Sequence, residues 1–100
     1  MRPDGFEWDD EKASFNVRQH EVAFEEASSV FSDRYAMTIF DARHSKGEDR
    51  YVTLGISRMG RLVAVMHTER GENQRLISAR KATRREYQAY EENRKRLSRR

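Results

Sequence analysis

Arg75-Leu76-Ile77-Ser78-Ala79-Arg80-Lys81-Ala82-Thr83-Arg84-Arg85-Glu86-Tyr87-Gln88-Ala89-Tyr90 is the stretch on which the reading of this chain turns. Its first half alternates arginine with aliphatic residues, the period-2 pattern of a strand. Its second half opens on Thr83-x-x-Glu86, the reciprocal capping box that starts a helix. A strand bearing cations therefore runs almost directly into a helix with a cationic first turn. Guanidinium groups on rigid elements suit a polyanion, because their planar forks match phosphate oxygens.

The residues before this stretch predict its neighbours. Residues 50–57 read as a strand, with Val52, Leu54 and Ile56 on one face and Tyr51, Thr53 and Gly55 on the other. Arg58-Met59-Gly60 makes a tight turn, and residues 61–69 return as the next strand. Leu62 to Met66 are apolar on both faces, which predicts a central position. Arg70-Gly71-Glu72-Asn73 is a second turn, leading into a strand over 74–82. Short hairpins of this kind force antiparallel pairing. Another strand spans 35–40, followed by a polar loop over 41–49.

Further toward the N-terminus, Gly5 to Trp8 alternates as a short first strand. Asp9 caps a helix with Asp10 and Glu11 in its first turn. Ala13, Val17 and His20 mark its inward stripe, and Phe15 lies off that stripe. A second helix over 24–31 presents Phe24, Ala27, Val30 and Phe31. After Thr83 the final helix carries Tyr87, Tyr90 and Leu97 on one stripe. The predicted architecture is α+β: an antiparallel sheet against two N-terminal helices, with a basic C-terminal helix. Residues 1–92 form the expected domain and 93–100 a basic tail.

One hundred residues with 36% hydrophobic and 37% charged side chains describe one small domain with much solvated surface. No apolar run approaches the ~20 residues of a membrane span, and no secretory leader is visible, so a cytoplasmic location is expected. There are no cysteines, which excludes disulfides and thiolate metal sites. The net charge of +3 hides an asymmetry. Residues 1–69 hold 9 Lys/Arg against 13 Asp/Glu, whereas residues 70–100 hold 11 against 4. Nucleic acid is the natural partner of that basic third; the plainer alternative is a solvated helix face with a basic tail.

Several blocks in order carry a resemblance. Phe6-Glu7-Trp8-Asp9 with Lys12, then Asn16, His20, Phe24-Glu25-Glu26-Ala27, Val30-Phe31, His44, Glu48, Arg50, Gly55, Thr68-Glu69-Arg70, Ile77-Ser78-Ala79-Arg80, Glu86 and Tyr90 resemble the BrnT family over residues 6 to about 91. That family comprises toxins of bacterial type II toxin–antitoxin pairs. The resemblance implies a RelE-like fold, ribonuclease activity that stops translation, and neutralisation by a BrnA-type antitoxin. It also implies operator DNA binding only through the toxin–antitoxin complex. Two positions depart from the family pattern. Glu21 stands where a glycine would end the first helix in a left-handed conformation, at a cost of roughly 1 kcal/mol. Ala23 stands where a serine would cap the second helix, a loss of about 1 kcal/mol.

Metal-free RNA cleavage needs a base for the 2′-hydroxyl, a proton for the leaving oxygen and a cation for the phosphorane. Arginine suits the last role. Arg80, beside the helix start, is the first candidate, its alternative being an ion pair with Glu86. Arg75 lies an odd number of residues away and so on the opposite face, unless a bulge re-aims one of them. His67 is placed to titrate near neutrality, or to serve as a hydrogen-bonded core residue. Tyr90 could present its hydroxyl to the phosphate or only seat the last helix. Lys12 could meet RNA, with Trp8 as a stacking surface or as a core tryptophan. Lys81, Arg84 and Arg85 complete the expected RNA contacts, the last two also suiting an acidic antitoxin segment. His20 sits at a helix end. His44 lies in the polar loop within possible reach of a ligand, along a course the sequence does not set. The three histidines are too scattered for a metal site, and no cofactor is expected. A non-catalytic nucleic-acid-binding module and a protein acting only through protein contacts remain the alternatives.

Overall fold

Residues 2–99 are described by the structure, a computed structural model; Met1, at the start of the expected domain, and Arg100, at the end of the expected tail, lie outside them. The elements are β1 (Phe6–Glu7), α1 (Asp10–His20), α2 (Phe24–Ser29), β2 (Met37–Phe40), β3 (Arg50–Ile56), β4 (Leu62–Arg70), β5 (Asn73–Lys81) and α3 (Arg84–Ser98). Single 3-10 turns follow α2 (Val30–Ser32) and β2 (Ala42–His44). No described helix is long and apolar enough to cross a membrane.

The strand order is β1-β5-β4-β3-β2, with β4 at the centre as its two apolar faces require. The β2–β3, β3–β4 and β4–β5 pairs are antiparallel. The expected all-antiparallel sheet needs one correction: β1 pairs parallel with β5, Phe6 opposite Gln74 and Glu7 opposite Arg75. No hairpin joins these two segments, so nothing local dictates their relative direction. Helices α1 and α2 cover one face of the sheet. Trp8, Val22, Phe24, Ala27 and Val30 pack there on Val63, Val65, Leu76 and Ala79. Gly55 permits that approach, because a Cβ on it would lie 2.7 Å from a Val30 methyl and 3.0 Å from the Val30 carbonyl oxygen.

Helix α1 turns inward differently from the expected stripe. Val17 is 47% exposed and His20 is exposed, whereas Asn16 is buried. The Asn16 amide donates to the Val22 and Ala79 carbonyls at 2.8 Å, and its oxygen accepts from the Ala79 N–H at 3.0 Å. Strand β1 is too short to pair with β5 at Ala79, so the asparagine satisfies that length of open edge. Glu21 ends the helix at φ 58°, the left-handed conformation anticipated there, and Ala23 starts α2 without a side-chain cap. Glu26 is buried under α2 and takes a fork from Arg61 at 2.6 and 2.7 Å and a hydroxyl from Ser57 at 2.7 Å. The Arg61 hydrogen bonds hold the Glu26 carboxyl below its ordinary range.

Helix α3 lies across the other face of the sheet. Both halves of its capping box form: the Thr83 hydroxyl accepts from the Glu86 N–H at 3.2 Å, and the Glu86 carboxylate from the Thr83 N–H at 2.8 Å. The helix continues to Ser98, so residues 93–98 extend α3. The Tyr90 hydroxyl donates to Asp33 at 2.6 Å and ties α3 to the segment before β2. Burial pushes the Asp33 carboxyl up, but the N–H of Ile56, the Tyr90 hydroxyl and the N–H of Tyr35 outweigh it and hold the group low.

Candidate nucleic-acid groove

Where the first turns of α3 cross the sheet, a groove of about 570 Å³ opens between the helix, β2 and the face formed by β3, β4 and β5. Alternation decides its floor. Val52 and Leu54 of β3 point away from α1 and α2 and lie beside Met66 of β4, Ile77 of β5, Ile39 of β2 and Ala89 of α3. The rim is polar and mixes three arginines with two carboxylates and a histidine: Arg80 at the end of β5, Arg85 and Glu86 on α3, Arg50 at the start of β3, and Asp41 and His44 in the turn after β2. Phe40, 51% exposed, borders the groove, but it lies opposite Tyr51 and its ring rests edge-on against Tyr51 on the other face of the sheet.

Arg80 makes the ion pair that its sequence position allowed. Its guanidinium forks onto Glu86 at 2.7 and 3.0 Å and reaches the Lys81 carbonyl at 3.4 Å. These bonds use three of the five N–H donors of an arginine and aim the planar group along the groove wall. The Arg80 hydrogen bonds hold Glu86 ionised well below its ordinary pKa, and Glu86 in turn holds Arg80 up. Arg85 is exposed beside it. Arg50 stands 3.6 Å from Glu48.

The expected gathering of all the cations into one pocket does not occur. A register shift at Met66/His67 places Ser78 opposite Met66 and Leu76 opposite His67, leaving Ile77 as the extra residue of a bulge. Arg75 and Arg80 then face Thr68 and Ala64, two positions of the same parity, so the bulge brings both arginines to one side of the sheet. They remain apart along the strand. Arg75 pairs with Glu7 at 2.9 Å and lines no part of the groove. Lys81 points to the Glu21 carboxylate at 3.5 Å, and Arg84 is exposed on α3 outside the groove lining.

The other candidates lie elsewhere. His67 is 3% exposed on the α1/α2 face, with Thr53 on Nε2 and Gln74 on Nδ1, each at 2.7 Å, and burial lowers its pKa. Tyr90 is 2% exposed; burial and the Asp33 carboxylate raise its pKa, so its hydroxyl clamps α3 and does not face the groove. Trp8 is 6% exposed, edge-on to Phe24 in the core, with the Arg2 guanidinium 5.0 Å above its ring. Lys12 is exposed on α1, beside Phe15 and Arg18 in a shallow depression of its own.

Sequence reasoning passed over Asp41 and Arg50 and left His44 unplaced. The Asp41-x-x-His44 spacing in a polar loop was the available signal. Its weight depends on the neighbouring strand order. Among the described residues, no three His, Asp or Glu side chains come together as metal ligands.

These features define a small α+β domain with an arginine-rimmed groove of a size and charge suited to a phosphodiester. The fold is similar to the crystal structure of the Brucella abortus ribonuclease toxin, BrnT. That likeness has a TM-score of 0.59 at 22% identity, covering 77% of this chain and 94% of that one. A search of curated protein sequences returned no match. The family described as ribonuclease toxin, BrnT, of type II toxin–antitoxin systems matches residues 8–86. The chain belongs to that BrnT toxin family.

Proposed function

We propose that the chain is a RelE-like, metal-independent endoribonuclease toxin that cuts RNA and so halts translation, acting in the cytoplasm and held inactive by a BrnA-type antitoxin. The observation that carries this reading is the groove itself, with Arg80 fixed by Glu86, Arg85 and Arg50 on the rim, and an apolar floor. A phosphodiester laid on the rim puts its oxygens against guanidinium N–H groups. Those groups stabilise the extra negative charge of a phosphorane without reorganising. An antitoxin with an acidic segment would find Arg84 and Arg85 exposed and mask the same groove, and operator DNA would be met only through that complex.

The test incubates purified protein with messenger RNA in EDTA and maps the fragment ends. Discrete cuts are expected. Arg85→Ala, an exposed position, should keep the melting temperature and weaken RNA binding by about 1 kcal/mol or more. Arg80→Ala should abolish cutting. The exposed cations of α3, among them Arg84, Lys95 and Arg96, favour a second reading as a non-catalytic RNA-binding module. Salt-sensitive binding with the RNA left intact would select that reading.

A further inference from the structure

We infer that His44, held by Asp41, is the general base of the groove. The inference rests on the nuclease reading above and assigns the group that takes the 2′-hydroxyl proton. The His44 Nδ1 lies 2.8 Å from Asp41 Oδ2. A carboxylate only accepts, so Nδ1 carries the proton and the neutral ring presents its lone pair at Nε2. Nε2 has no hydrogen-bond partner among the described residues, and the His44 side chain is 62% exposed at the groove.

The turn that bears this pair is anchored. The Asp41 N–H donates to the Arg50 carbonyl at 2.8 Å, the Arg50 N–H to Ser45 Oγ at 2.9 Å, and Ser45 Oγ to the Asp41 carbonyl at 2.6 Å. His44 is thereby set on the end of the β2–β3 pair rather than on a free loop. The same groove is lined by Arg80 from β5, Arg85 and Glu86 from α3 and Arg50 from β3. A base, an aspartate that orients it and cations for the phosphorane thus share one opening.

The chemistry balances as a transesterification. Nε2 takes the proton from the 2′-hydroxyl, O2′ bonds to phosphorus, and the P–O5′ bond breaks. O5′ leaves with a proton from water, and the imidazolium returns its proton to solvent. The products are a 2′,3′-cyclic phosphate and a free 5′-hydroxyl. Asp41 is a positioning residue, since it acts only through the ring.

The test measures cleavage of an RNA oligonucleotide from pH 5 to 8, and binding of the same sequence carrying 2′-O-methyl groups. His44→Gln should cut at least about 100-fold more slowly while binding the methylated strand within about threefold of wild type. Added imidazole should restore part of the activity to His44→Ala. Asp41→Asn should slow cutting about tenfold or more while leaving binding of the methylated strand within about threefold of wild type, because the ring loses the partner that orients it. His20→Gln, at the exposed end of α1, serves as the neutral control. A His44→Gln protein that cuts within about threefold of wild type overturns the assignment alone. Loss of binding in step with loss of cutting overturns it too, since His44 would then only hold RNA. A wild-type protein that leaves RNA whole overturns the nuclease reading and this assignment with it.

Discussion

At the scale of single residues, the structure separates groups that look alike in the sequence. Arg75 and Arg80 alternate on one strand, yet Arg75 pairs with Glu7 at the sheet edge and Arg80 with Glu86 at the groove. Three histidines are equally polar in the sequence. One is a neutral core residue, one an exposed helix end, and one is held by Asp41 at the groove mouth. The two departures from the family pattern, Glu21 and Ala23, do what local stereochemistry dictates. Glu21 occupies the left-handed region at φ 58°, so Glu21→Gly should raise stability by about 1 kcal/mol in urea unfolding. Its loose contact with Lys81 subtracts little from that gain, since both side chains are largely exposed. Ala23→Ser should add a comparable amount, about 1 kcal/mol, by capping α2. No change in unfolding midpoint for either variant would contradict these readings.

Among the elements, α3 decides whether the groove exists. Its middle is held by the Tyr90–Asp33 hydrogen bond and its first turn by the Arg80–Glu86 fork. Tyr90→Phe removes a hydrogen bond to a carboxylate that keeps its two backbone donors, Tyr35 and Ile56, so the loss should be about 1.5 kcal/mol. Amide hydrogen exchange should then quicken in α3 before it does in β4. Equal acceleration in both elements would mean that the helix is not held locally. The β5 bulge matters at the same scale. One extra residue, Ile77, moves Arg75 to the side of the sheet that Arg80 faces. A bulge leaves no trace in a pattern of alternation, because it is set by pairing with β4.

For the molecule as a whole, charge and pH govern behaviour together. Burial lowers the His67 pKa, so the unfolded chain binds its proton first as pH falls. Its contribution to stability is therefore full above about pH 6.5 and is lost as pH drops toward the folded value. Glu26, Asp33 and Glu86 have lowered folded values and act the same way at more acid pH: their contribution is present above about pH 4 and lost below it. Urea unfolding across pH 3 to 8 should show stability falling in these two stages. His67→Gln should remove the upper stage only, and an unchanged profile would refute the assignment. The basic last third should make RNA affinity fall steeply with salt. Arg85→Ala should reduce the slope of log affinity against log salt by about 0.7, the share of one phosphate contact on a single strand.

The amino-acid sequence by itself determined the strands from Arg50 onward, the capping box at Thr83 and the basic bias of the last third. Each of these depends on neighbours a few residues apart, through alternation or capping geometry. Tertiary structure decided the parallel entry of β1, the inward turn of Asn16 in place of Val17, the bulge at Ile77 and the meeting of Asp41, His44, Arg50, Arg80 and Arg85 around one opening. Those features join residues tens of positions apart. No local preference records such a pairing, because its energy comes from contacts that form only once the sheet has closed.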